Sequence, residues 1–270
     1  MQPALPIVAL IFAGMLAWVV VNIARFRRKT LFALNTVMEP YRRGDYQAAL
    51  DAAEALRDDG EITAQYCFFR GSSLGNLGRL GEAETWLRRS IALHTAAGEK
   101  RHLAIGLSSL GQVLLQAGRY DEAETCFDES IRVVPDRSSG YRSRAELCLL
   151  RGGNPAEATG FAKLAIQREQ ADKAHPATLR SLNLGEDLAT LAWATAADSH
   201  DAAEVSRLAD AAIASVGASN VQSTAQVRYH VGCAFAELGD LESSARHYEE
   251  AARIDPHGHW GRAARSRVVV

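Results

Sequence analysis

Two segments more than a hundred residues apart carry one pattern, and that repetition constrains the fold more than any other feature of the chain. Leu110–Pro135 reads LGQVLLQAGRYDEAETCFDESIRVVP, and Val231–Pro256 reads VGCAFAELGDLESSARHYEEAARIDP. Gly111 and Gly232, Gly118 and Gly239, Phe127 and Tyr248, and Pro135 and Pro256 fall at the same offsets. Mid-helix glycine costs about 1 kcal/mol relative to alanine, so Gly111 and Gly232 imply close approach of another helix. Gly118 and Gly239 suit a left-handed helix end, and the prolines stop the helix that follows. Each copy is therefore a helical hairpin. A lone hairpin cannot bury its apolar face, but a stack of neighbours can.

A third copy, beginning at Ala64, places Gly71, Leu74, Gly78, Leu80, Ala83, Leu87 and Ser90 in register. Weaker copies follow Gly44, Tyr46 and Ala49, and Tyr141, Ala145, Gly152, Ala158 and Ala165. Between His175 and Val216 two helices are expected, but no single register fits them. The segment Ala97–His102, AGEKRH, adds about six residues and breaks the period. The pattern resembles the tetratricopeptide repeat, a helix–turn–helix of about 34 residues. That resemblance implies an all-α solenoid of five or six hairpins over residues 31–258. Its best repeats lie at 64–97, 104–137 and 225–258. The basic tail, residues 259–270, is either part of a capping helix or a free end.

Composition narrows the function. Residues 30–255 hold all 32 acids against 23 of the 30 Lys/Arg, a net charge of −9. Nucleic-acid binding needs a basic footprint, so it is not expected. The four cysteines, Cys67, Cys126, Cys148 and Cys233, stand far apart and spell no metal or redox pair. His257 and His259 flank a glycine without a third ligand nearby, so no metal site is expected, and no cofactor. Paired carboxylates such as Asp121–Glu122 and Glu249–Glu250 read as solvated helix faces. No catalytic motif stands in its required context, so neither an enzyme nor a small-molecule substrate is expected.

Ahead of the repeats, residues 4–24 read ALPIVALIFAGMLAWVVVNIA, with no charged side chain. Twenty-one helical residues at about 1.5 Å each match a hydrocarbon core about 30 Å thick. Residues 1–24 are thus expected to form a transmembrane helix, followed by a basic segment, 25–30. Arg25, Arg27, Arg28 and Lys29 follow at once. Positive flanks stay cytoplasmic, which places the N-terminus outside and the solenoid in the cytosol. The alternative is an envelope or periplasmic assembly factor with the solenoid outside the cytosol.

In the resembled fold, the first helices of the hairpins line a concave groove. Helical phase then nominates Gln65, Phe68, Phe69, Ser72 and Asn76, with Ser108, Gln112 and Gln116, and with Tyr229 and His230. This amide and hydroxyl surface suits an extended peptide or a partner helix. No lysine is among these residues, so the lysine clamp by which some members grip a carboxylate is not expected. The arrangement resembles bacterial membrane-anchored tetratricopeptide scaffolds, including those that recruit a protease to regulate lipopolysaccharide assembly. Those carry C-terminal cysteine pairs, which this chain lacks. The expected function is a membrane-anchored protein–protein interaction scaffold.

Overall fold

In a computed structural model, residues 35–56, 62–173, 175–217 and 220–268 are described. The expected membrane segment and its basic flank lie outside them. Among the described residues, no helix is long and apolar enough to cross a membrane. These residues form helices and turns with no strand. Residues 35–42 (α1) pair with Tyr46–Ala52 (α2), which runs on into a 3-10 turn, Ala53–Leu56. Four full hairpins follow: Ala64–Asn76 (α3) with Leu80–Ala96 (α4), Lys100–Gln116 (α5) with Tyr120–Val133 (α6), Ser138–Leu150 (α7) with Pro155–Ala171 (α8), and Ala177–Ser199 (α9) with Ala202–Val216 (α10). Val221–Glu237 (α11) and Leu241–Ile254 (α12) make the sixth, and His259–Val268 (α13) caps the stack.

The recurring glycines sit where one helix of a hairpin touches the other. A Cβ added at Gly111 would lie 2.3 Å from Phe127 Cε1, and one at Gly232 would lie 2.7 Å from Tyr248 Cε1. At Gly71 the same construction meets Leu87 Cγ at 2.7 Å. In all three hairpins the contact joins residues at the same separation in sequence. Ser90 Oγ donates to the Ala64 carbonyl at 3.0 Å, and Ser130 Oγ donates to Ala104 at 2.9 Å. A serine on the inner face of the second helix thus ties it to the start of the first. Gly118 and Gly239 close their helices at φ +73° and +77°.

The weak stretch resolves into α9 and α10. Its left-handed turn residue is His200, at φ 54°, where the other hairpins use glycine. Asp201 Oδ1 then caps α10 by accepting from Glu204 N at 3.1 Å.

The C-terminal tail is a helix, and it closes the superhelix. Trp260 is buried against Tyr229 and His230, with ring centroids 5.5 and 5.1 Å away. Arg262 Nη1 donates to the Asn76 carbonyl at the end of α3, at 2.6 Å. Tyr46 Oη donates to Asp255 Oδ2 at 3.3 Å, and buried Asp255 also accepts from Gly258 N at 3.0 Å. The Gly44 backbone lies close enough to Val221 that an added Cβ would stand 2.8 Å from Cγ1. The last hairpin and its cap thus return to the first.

Two outcomes follow. Gly111→Ala forces a methyl onto the Phe127 ring, and overpacking of that kind destabilises by about 1–3 kcal/mol. Gly160→Ala, in α8 with open space around its Cβ site, should instead stabilise by roughly 0.5–1 kcal/mol. Urea unfolding followed by circular dichroism reads both. The second outcome concerns pH. Burial pushes the His259 imidazole down to about 4, aided by Arg262 and His230 and opposed by Glu146. His259 is therefore neutral in the fold, while the unfolded chain protonates it below about 6.5. Its contribution is present above that pH and is lost as pH falls toward 4, by up to about 3 kcal/mol. Asp187, pushed up to about 7 by burial, has the opposite slope in the same window. The measurement is therefore the difference between wild type and His259→Gln, and that difference should shrink on acidification from pH 7 to 4.

Candidate functional site

The inner helices α3, α5, α7 and α11 turn polar ladders toward a common space. Ser72 and Asn76 stand four residues apart on α3; Ser108, Gln112 and Gln116 continue the spacing on α5. Ser139 and Ser143 repeat it on α7, and Gln222 and Gln226 on α11. Four residues is close to one helical turn, so each ladder occupies one face. Together they line a cavity of about 220 Å³, completed by Tyr41 of α1, Glu186 of α9, and His259 and Trp260 of α13. Five of the expected groove residues, Ser72, Asn76, Ser108, Gln112 and Gln116, are brought together on its wall.

Hydrogen bonds tie adjacent hairpins across this wall. Gln112 Nε2 donates to Ser143 Oγ at 3.3 Å and to Glu146 Oε2 at 3.1 Å. Asn76 Nδ2 donates to Tyr41 Oη at 3.0 Å. Within the α5–α6 hairpin, Ser108 Oγ meets Ser130 Oγ at 2.8 Å. On the same wall, Arg142 Nη2 donates to Glu186 at 2.6 Å, and its Nη1 donates to the buried Asp187. Burial raises the Asp187 carboxyl, although Arg142 counters it by charge and hydrogen bonding. Two wall atoms, Gln112 Oε1 and Ser72 Oγ, are buried yet have no hydrogen-bond partner among the described residues. A buried acceptor and hydroxyl left in this state cost about 1–3 kcal/mol each.

The other expected residues lie elsewhere. Phe69 is core, clustered with Val37, Ala53, Tyr66 and Cys67, and Phe68 packs against that cluster. Tyr229 and His230 are buried beneath Trp260, so the tail covers what helical phase alone exposes. His230 is engaged with Thr190 Oγ1 at 3.1 Å and faces Glu146 Oε1 at 3.8 Å. Gln65 is half-buried near the start of α3, away from the cavity. Tyr41, Arg142 and Glu186, together with His259 and Trp260, also line the cavity, beyond the residues that helical phase nominates. The serine spacing of Ser139 and Ser143 could have nominated α7. Nothing local signals that the tail reaches the cavity. Arg142 is no substitute for the absent lysine clamp, because two carboxylates already hold its guanidinium.

Family models described as tetratricopeptide repeat match residues 61–136, 109–176 and 225–257, more than half of the chain together. Comparison with curated proteins gave no match. Among solved structures, BtubC (BKLC) from P. vanneervenii is similar at 16% identity, covering 84% of this chain and 90% of its own, with a TM-score of 0.47. TTC0263, a thermophilic TPR protein from Thermus thermophilus, is similar at 18% identity, covering 77% and 97%, with a TM-score of 0.48. YrrB, a TPR protein with an unusual peptide-binding site, is similar at 16% identity, covering 82% and 97%, with a TM-score of 0.35. The repeated glycine contacts, the paired helices and the family models agree: the chain belongs to the tetratricopeptide repeat family, whose members are generally non-catalytic protein–protein interaction scaffolds.

Proposed function

We propose that this protein is a membrane-anchored scaffold that holds an extended peptide of a partner protein in its inner cavity, at the cytoplasmic face. The observation that carries the peptide reading is the cavity wall, with Ser and Gln side chains at four-residue spacing on four helices. Main-chain N–H and C=O groups of an extended segment are the natural partners for such a wall. A helix already satisfies its own backbone groups, so it leaves such a polar wall less well matched than an extended segment does. Charge narrows the guest further. Arg142 is matched by Glu186 and Asp187, and Glu146 lies close by, so the guest is neutral or basic rather than acidic.

The anchor rests on the apolar run 4–24, and the orientation rests on Arg25, Arg27, Arg28 and Lys29. Tethering raises the local concentration of a bound partner relative to membrane clients, which is how a scaffold without chemistry can act.

Selection from a random peptide library on the full chain should enrich neutral or basic sequences, and enrichment of acidic ones would count against the cavity reading. Gln112→Ala should weaken the selected peptide by about 5–10-fold, the size of one hydrogen bond. Membranes washed with carbonate should retain the chain. A reporter that is active only in the cytosol, fused after Val270, should be active; an inactive reporter would favour the envelope alternative.

A further inference from the structure

The period-breaking segment between the second and third hairpins gathers three side chains that the cavity does not use. His94 lies in the last turn of α4, Glu99 is the N-cap residue of α5, and His102 is in the first turn of α5. The chain reverses at Gly98, φ +70°, and Glu99 N donates to the His94 carbonyl at 3.0 Å. This turn brings His94 Nδ1 to 2.7 Å and His102 Nδ1 to 3.5 Å from the same atom, Glu99 Oε2. The two imidazoles stack, with centroids 5.1 Å apart and planes 16° apart. All three candidate donor atoms lie within 4.8 Å of one another.

From this arrangement we propose that His94, Glu99 and His102 form a zinc site. Zinc is bound by imidazole nitrogen and carboxylate oxygen at about 2.0–2.2 Å, so tetrahedral donors stand roughly 3.3 Å apart. The two separations to Glu99 bracket that value. Two nitrogens and one oxygen suit zinc, or cobalt in its place, whereas calcium and magnesium require a cage of oxygens. His94 is 2% exposed and supplies the fixed ligand; Glu99 and His102, 43% and 55% exposed, can close on the ion from solvent. The Glu99 carboxylate makes no capping bond to its own helix, which leaves it free to coordinate. The neighbouring cation, Arg101, does not neutralise it, because its guanidinium is directed to Asp172 at 3.0 Å. The fourth position faces water. The ion would bolt the end of α4 to the start of α5, where the added residues interrupt the repeat.

The test uses the full chain, purified in detergent without a histidine tag, titrated with zinc against a chromophoric chelator and with cobalt by absorption. One zinc per chain at micromolar affinity or tighter is expected, with visible cobalt d–d bands typical of four or five ligands. His102→Ala, at an exposed position, should keep the helical circular dichroism and weaken zinc by about 10-fold or more, and Glu99→Gln should do the same. Absence of saturable uptake overturns the proposal and leaves Glu99 as a hydrogen-bond acceptor only. Uptake unchanged in His102→Ala also overturns it, by placing the metal on other residues, such as the cysteines or His257 and His259.

Discussion

Everything in this molecule depends on how closely the two helices of a hairpin can approach. Gly111 against Phe127 and Gly232 against Tyr248 set that distance, and a single methyl is enough to violate it. The glycine sacrifices about 1 kcal/mol of helix propensity. Burying a phenyl ring returns about 1.5–3 kcal/mol, so the exchange favours the hairpin. Phe127 is fully buried and joins Leu87, Leu110, Leu114 and Ala123 in one core cluster, so the contact within one hairpin also fixes the next. With the spacing set, the inner helix has one face against its partner, one against each neighbour, and one left for the concave side.

That remaining face is polar, and it is stabilised by organisation rather than by burial of apolar area. Arg142 between Glu186 and Asp187 joins α7 to α9, and Gln112 joins α5 to α7. A buried ion pair contributes little net stability, because desolvation offsets most of its attraction. Removing one partner is a different matter, since it leaves a buried charge alone. Such groups therefore act as register pins. A slip of α9 against α7 would strand Arg142 from both carboxylates.

Much of this was legible in the chain, for identifiable reasons. The three strong repeats, 64–97, 104–137 and 225–258, announce themselves because their paired glycines perform steric tasks that few residues can replace. The α9–α10 hairpin was illegible in register because His200 holds the left-handed turn and Gly185 meets Val216, farther along the chain than the partners of Gly71, Gly111 and Gly232. Within the site, Ser72, Gln112 and Gln116 follow from helical phase alone. Phe69 does not, because the outward flank of an inner helix and its inter-repeat flank differ by a small rotation. Tyr229 and His230 stand off the cavity for another reason: Trp260 covers them, and a contact made by superhelical closure leaves no periodic trace. His94, Glu99 and His102 were close in sequence but match no familiar spacing, and only the turn at Gly98 brings them together.

Closure also changes what kind of solenoid this is. A simple repeat stack is quasi-one-dimensional, and its two ends do not sense each other. Here Tyr46 reaches Asp255 and Asn76 receives Arg262, across 209 and 186 residues of chain. Asn76 is the junction: its side chain donates to Tyr41 of the first hairpin, its carbonyl accepts from the capping helix, and it lines the cavity. A guest entering the cavity therefore meets a wall built from both ends of the solenoid. For the proposed guest, any difference in affinity between the closed and the opened solenoid would change the hold of α13 on the first hairpins by the same free energy, as linkage requires.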